Sequence, residues 1–209
     1  MACQQVFNQF FQPFYDQRIE NIYRMSPATS STFDLSVLTF WSSVIDFYGG
    51  LYYIGKKNQY KTHRSGDLKL SHVDAFSLFI KDFFPAPENQ YGNFIYDIFR
   101  SGIVHQVCAK KSHIYWQHPN IHKLLWVVQQ PGNTNEIENK EAHINISVFQ
   151  QMTYDAYQRF KAMVSNSTDP TLCQNIYNHL LAMSDGLQDG KALNSAFNKL
   201  LENGIDLRQ

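Results

Sequence analysis

The stretch from Phe33 to Gly55, FDLSVLTFWSSVIDFYGGLYYIG, decides the fold class because it is apolar on nearly every side. A helix of that kind is either buried at the centre of a domain or spans a membrane. The stretch is long enough to cross a bilayer. However, Asp46 lies at its centre, and a carboxylate at mid-membrane costs about 3 kcal/mol on insertion scales. We therefore predict no membrane contact and a central buried helix over about residues 34–56.

The composition is that of a packed globular protein. The chain has 209 residues, of which 44% are hydrophobic and 17% charged, so we expect a single domain over residues 1–209. Lys plus Arg equals Asp plus Glu at 18 each, which argues against a dedicated nucleic-acid-binding protein because such proteins usually carry a basic excess. The 16 Phe and 12 Tyr indicate wide helical interfaces, some of them between subunits.

The cysteines and the N-terminus indicate a cytoplasmic protein. Cys3, Cys108 and Cys173 are odd in number and widely spaced, and no CxxC pair is present, which fits a reducing compartment. The first residues, MACQQVFNQFFQPFYDQRIE, lack the basic region, apolar core and cleavage site of a secretory signal.

Helical spacing recurs on both sides of the central stretch. Ser71 opens a helix that Pro85 ends, and a further helix is predicted from about Asn89 to Cys108. Near the C-terminus, Asp169 and Pro170 start another helix as its N-cap and first residue.

The periodicity changes between about residues 112 and 148. Three runs there are rich in β-branched and aromatic residues: His113–Gln117, Leu124–Gln129 and Ala142–Val148. We predict that they form a small three-stranded antiparallel meander, inserted into a mainly α fold.

Residues Tyr96 to His105, YDIFRSGIVH, place an arginine and a histidine five positions apart in an apolar helix. This arrangement resembles the HEPN superfamily, whose helical bundles carry an Arg-x(4–6)-His signature in a C-terminal helix of the core. The longer segment FRSGIVHQVCAKKSHIYW is similar to a pattern of bacterial proteins of this type, in which Asn often follows the Arg. Ser101 matches that position only partly.

The resemblance implies a HEPN-like helical bundle that forms a homodimer and acts on RNA or nucleotide phosphates. It implies a metal-independent ribonuclease in a defence or stress system, with His105 as the acid/base and Arg100 as the partner on the phosphate side. Imidazole titrates near neutrality and guanidinium grips phosphate oxygens through paired hydrogen bonds, so both side chains suit these roles. No glycine loop for phosphates, GxSxG or HExxH is present, so we expect no cofactor.

The sequence is compatible with an enzyme and with a non-catalytic protein. On an ideal α-helix Arg100 and His105 lie about 140° apart. They can share a site only if the helix ends or bends near Gly102, or if two subunits contribute. Structural roles are also open, because Asp97 is spaced for an ion pair with Arg100 and His105 follows the apolar face. The alternative function is a non-catalytic, dimeric module that binds a partner protein, in which the Arg–His motif is structural.

Asp46 is the other residue with chemical consequences. A carboxylate among apolar neighbours must be paired, or its pKa shifts until it is neutral. We predict that Asp46 meets Arg100 across the helix packing, while an Asp that faces a loop or solvent is the alternative. Asp46, Asp97 and Ser101 are therefore supporting candidates.

The best basic patch consists of Lys56, Lys57, Tyr60, Lys61 and Arg64. An aromatic ring among cations can stack on a base while the charges follow phosphates, so these residues are candidates for RNA contact. A solvated loop is the alternative explanation.

A run of potential metal ligands follows the Arg–His motif. It comprises His105, Cys108, His113, His118 and His122. Their intervals are irregular and no acidic ligand is near, so we predict no metal site.

Overall fold

The structure is a computed structural model that describes residues 8, 12, 16–24, 34–57, 72–101, 112–115, 122–129 and 140–188. Within these ranges the protein is mainly helical and carries one small sheet. The helices are α1 Gln17–Arg24, α2 Asp34–Lys57, α3 His72–Phe83, α4 Gly92–Ile95, α5 Ile146–Asn166 and α6 Pro170–Gln188. A 3-10 turn, Glu88–Gln90, precedes α4, and a π turn, Tyr96–Arg100, follows it. The strands are β1 Ser112–Tyr115, β2 Leu125–Gln129 and β3 Lys140–Asn145.

Helix α2 is the central element, as the sequence predicts. It packs against α3, α5 and α6. Trp41, Ile45, Tyr48 and Leu51 on this helix are all 1% exposed or less. No helix in the described ranges is sufficiently long and apolar to cross a bilayer.

The aromatic residues of the described chain build the core. Five rings form one connected cluster, with centroids of contacting pairs 4.9–6.1 Å apart: Tyr48, Tyr52, Phe79, Phe83 and Phe160. Tilted and edge-to-face pairs of this kind contribute about 0.5–1.5 kcal/mol each beyond their burial. Phe94 is the only aromatic residue among the exposed large hydrophobic residues of the described ranges. Within these ranges the aromatic residues therefore give little support to the prediction that some of them form an interface between subunits.

The sheet does not have the predicted topology. Its strand order is β1–β3–β2, with β3 parallel to β1 and antiparallel to β2. The prediction of an antiparallel meander is therefore wrong. The reason lies in burial, since residues 142–145 are all buried and suit the central strand, whereas Val127 and Val128 of β2 are exposed.

Strand β3 runs directly into α5 without a loop. The strand ends at Asn145, which has extended backbone angles (φ −99°, ψ 106°), and the helix begins at Ile146. The Asn145 N–H donates to the carbonyl oxygen of Leu124 at 2.9 Å. The sequence predicts a strand that reaches Val148, because the run Ala142–Val148 is rich in β-branched residues. The helix forms instead, since Ile146 and Phe149 are also three apart and both are buried.

The predicted start of α6 is confirmed. Asp169 Oδ1 accepts hydrogen bonds from the backbone N–H groups of Thr171 at 2.8 Å and Leu172 at 3.3 Å. Such an N-cap satisfies donors that the first helical turn leaves without partners.

Cys173 on α6 is buried and disulfide-bonded. The expectation of reduced cysteines is therefore wrong at this position. Three cysteines cannot all pair with one another, but two of them can still form one disulfide bond. Cys3 and Cys108 lie outside the described residues, as do all of residues 102–108 at the predicted end of the helix that carries Arg100.

Close contact between α2 and α3 depends on Gly49. A Cβ atom at this position would lie 2.7 Å from the backbone oxygen of Ala75. At Gly55, by contrast, a Cβ atom would meet the Cδ1 atom of Leu172 at 2.5 Å, which is the end of a flexible side chain. The first obstacle is rigid backbone, whereas the second can move aside.

We expect Gly49→Ala to destabilise the protein and Gly55→Ala to cost much less. Overpacking costs about 1–3 kcal/mol, whereas Ala gains about 1 kcal/mol over Gly in helix propensity. The net result should be a lower free energy of unfolding for Gly49→Ala and little change or a gain for Gly55→Ala. Urea denaturation measures both, and equal losses would contradict the proposed backbone contact.

Candidate functional site

Arg100 lies at the end of a π turn that extends α4. The turn spans Tyr96–Arg100, and the N–H of Ser101 donates to the carbonyl oxygen of Tyr96, five residues back. Single π turns within helices are rare and occur frequently at functional sites. The helical segment that carries Arg100 is thus locally wider than the ideal α-helix assumed from the sequence.

Arg100 forms an ion pair with Asp46. Its Nε donates to Asp46 Oδ2 at 2.7 Å, and the two side chains are 21% and 18% exposed. The guanidinium carbon also lies 5.2 Å from the centroid of the Tyr96 ring. The predicted contact between Asp46 and Arg100 is therefore present. We refer to Asp46, Tyr96 and Arg100 together as the Arg100 site.

Asp46 is poorly compensated even with this partner. Burial raises the pKa of Asp46 above its ordinary value of 3.8, and the hydrogen bond and charge of Arg100, with a smaller contribution from His72, offset only part of that effect. Its second oxygen, Oδ1, is buried and has no hydrogen-bond partner among the described residues. The pair is thus held by one hydrogen bond rather than by the two parallel bonds that Arg and a carboxylate can form.

His72 is a neighbour of this site that the sequence analysis did not identify. It opens α3 and is exposed, and its charge acts on Asp46. No motif links it to Arg100, because the two residues lie on different helices. The sequence indicates only that His72 lies near the end of a helix, because a helix is predicted to start at Ser71.

The remaining motif residues are placed only in part. Ser101 is half-buried directly after the π turn, and Asp97 is exposed. Arg100 pairs through its Nε with Asp46 and not with Asp97, which was the alternative partner. His105 lies outside the described residues, so its relation to Arg100 stays a prediction.

Lys56 is the one residue of the basic patch whose side chain lies within the described ranges. Lys56 Nζ lies 2.7 Å from Asp82 Oδ2 and 4.7 Å from the centroid of the Tyr52 ring. Tyr52 donates its hydroxyl hydrogen to the same Oδ2 at 2.5 Å. Lys56 therefore joins α2 to α3, and its predicted contact with RNA stays untested. Tyr60, Lys61, Arg64 and the side chain of Lys57 lie outside the described ranges.

The charge of Asp82 is stabilised by these partners. Burial alone would raise the pKa of Asp82, but hydrogen bonds from Lys56 and Tyr52 lower it below the ordinary value of 3.8. A carboxylate with a lowered folded-state pKa contributes stability above its unfolded pKa and loses it as the pH falls through the folded value.

The described residues contain no group of three or more His, Cys, Asp or Glu side chains placed to hold a metal ion. Much of the His- and Cys-containing run lies outside these ranges. The predicted absence of a metal site therefore stays a prediction.

Comparisons of the chain with models of known families, with curated proteins and with solved structures found no match.

We expect Asp46→Ala to lower the free energy of unfolding by about 1–3 kcal/mol. This range lies between the values for exposed and buried pairs, because the substitution leaves a partly buried guanidinium without its acceptor. Asp46→Asn keeps an oxygen acceptor without a buried charge and should cost less. The matched control is Asp97→Ala, at an exposed position near Arg100, which should change stability by under about 0.5 kcal/mol. Thermal and urea unfolding measure all three, and an unchanged Asp46→Ala protein would refute the pairing.

We expect the effect of Asp82→Asn to depend on pH. At pH 7 it should cost up to about 1 kcal/mol, since the pair with Lys56 is partly exposed. The loss should shrink as the pH falls through the lowered pKa of Asp82, below 3.8. In a Lys56→Gln background the substitution should cost less at every pH. A loss that is constant from pH 7 to pH 3 would contradict the assignment.

Proposed function

We propose that this protein is a HEPN-like, metal-independent ribonuclease that works as a homodimer, with Arg100 binding phosphate and His105 transferring protons. The proposal includes a cytoplasmic role in a bacterial defence or stress system, although a disulfide bond such as that of Cys173 is uncommon in this compartment. The observation that carries it is the position of Arg100, which is held by Asp46 through a single nitrogen and stays partly exposed.

The anchoring of Arg100 supports a role in binding. A guanidinium has five N–H donors, and the bond to Asp46 uses the one on Nε. The terminal nitrogens can then meet two oxygens of a phosphate while the side chain is already oriented. Such orientation by a second residue reduces the entropy lost when a ligand binds.

The proposed reaction needs no metal ion. The 2′-hydroxyl oxygen of the RNA attacks the adjacent phosphorus as its proton passes to a base. The bond from phosphorus to the 5′ oxygen breaks, and that oxygen takes up a proton. The products are a 2′,3′-cyclic phosphate and a 5′-hydroxyl end. We assign both proton transfers to His105 and the charge on the phosphate oxygens to Arg100.

A direct assay tests the proposal. Purified protein is incubated in EDTA with a structured RNA labelled at its 5′ end. We expect cleavage that leaves cyclic phosphates, with a loss of at least 100-fold in His105→Ala and Arg100→Ala, in line with the usual size of general acid–base effects. Arg24→Ala is the matched control because this arginine is 77% exposed and lies on α1. Circular dichroism verifies that each variant is folded.

Mixing the two inactive variants tests the dimer. If Arg100 and His105 of different subunits share one site, a mixed dimer of Arg100→Ala and His105→Ala contains one intact site and regains activity. If both residues come from one subunit, the mixed dimer stays inactive. Intact protein that cleaves no RNA would contradict the ribonuclease and favour the second candidate.

The second candidate is a non-catalytic module that binds a partner protein. Strand β2 lies at an edge of the sheet, and it exposes Val127 by 59% and Val128 by 38%. Adjacent exposed apolar residues on an edge strand are typical of contact surfaces. If the protein is such a module, the only role of the ion pair between Asp46 and Arg100 is to stabilise the fold.

A further inference from the structure

A cavity of about 370 Å³ lies between α3 and the start of α4. Its volume falls in the lower range of pockets that hold small molecules. The residues that line it are Ser77, Lys81, Asn89, Gln90, Gly92 and Asn93. None of the residues of the Arg100 site is among them, so the cavity is a separate feature.

The floor of the cavity depends on a glycine. A Cβ atom at Gly92 would lie 2.7 Å from the Cα atom of Ser77 and 3.1 Å from its carbonyl oxygen. Only a residue without a side chain allows the backbone of α4 to approach α3 this closely. The two helices therefore hold the lining side chains at a fixed separation.

Two lining amides are oriented by hydrogen bonds. Ser77 donates its hydroxyl hydrogen to Asn93 Oδ1 at 2.5 Å. Since the oxygen of Asn93 is engaged, its Nδ2 group is left to donate to a ligand. Asn89 Nδ2 in turn donates to the carbonyl oxygen of Lys81 at 3.5 Å.

Lys81 supplies the charge of the cavity. No carboxylate is among the lining residues. The neighbouring Asp82 is bound to Lys56 and Tyr52, and no described residue forms a hydrogen bond or ion pair with the Lys81 ammonium group. The lining of the cavity thus offers one cation and neutral donors, and no carboxylate.

We propose that this cavity binds the oxyanion group of a small molecule, a phosphate or a carboxylate. Lys81 provides the charge-assisted hydrogen bond and Asn93 a neutral one. This inference does not rest on the ribonuclease proposal, because the two sites share no residue and either can fail alone.

Nuclear magnetic resonance on the ¹⁵N-labelled full chain tests the inference. Inorganic phosphate, acetate, adenosine monophosphate and adenosine are titrated at constant ionic strength, and the side-chain amide signals of Asn89 and Asn93 are followed. We expect shifts with at least one anion, and a dissociation constant at least ten-fold higher in Lys81→Ala and Lys81→Gln, since a charge-assisted hydrogen bond is lost. Lys123→Ala, at another exposed lysine, should bind as the unmodified protein does.

The probes distinguish the sources of the oxyanion. Stronger binding of phosphate and adenosine monophosphate identifies a phosphate ligand, and stronger binding of acetate identifies a carboxylate. The inference is overturned if no anion shifts the amide signals, if both Lys81 variants bind as tightly as the unmodified protein, or if adenosine, which carries no oxyanion, binds as tightly as the strongest-binding anion.

Discussion

The charge of Asp46 is the constraint on which the site depends. Its helix, α2, contacts α3, α5, α6, the π turn and β1, so a carboxylate there is surrounded by packed elements. An ionised group in such a place is costly unless an opposite charge reaches it. Arg100 meets part of that requirement from the π turn, which links the position of this turn to the centre of the fold.

Arg100 therefore has a structural role that does not depend on the proposed chemistry. One nitrogen ties the π turn to α2, and the guanidinium carbon lies 5.2 Å from the centroid of the Tyr96 ring. An arginine fixed in this way has lost much of its side-chain freedom before a ligand arrives. A protein without catalytic activity would keep the same geometry, because the ion pair between Asp46 and Arg100 stabilises the fold independently of any reaction.

The parts of the fold that follow from local pattern were predictable, and those that depend on distant partners were not. Helix α2 could be predicted because it is apolar all round, and the contact between Asp46 and Arg100 because a buried charge needs a partner. The strand order could not, since short runs of similar composition fit several pairings. The partner of Lys56 could not be predicted either, because Asp82 comes from a distant segment that no local pattern links to it. His72 belongs to no motif, so only the packing of α3 brings it near Asp46.

The direct junction between β3 and α5 ties the register of the sheet to the rotation of a helix. A slip of one residue in a strand turns its side chains to the opposite face, and the same slip would rotate a continuous helix by about 100°. Helix α5 has 21 residues and buries one face, including Phe149 and Phe160. Any shift of β3 against its neighbours would turn those rings out of the interior. The burial of α5 therefore fixes the alignment of the three strands.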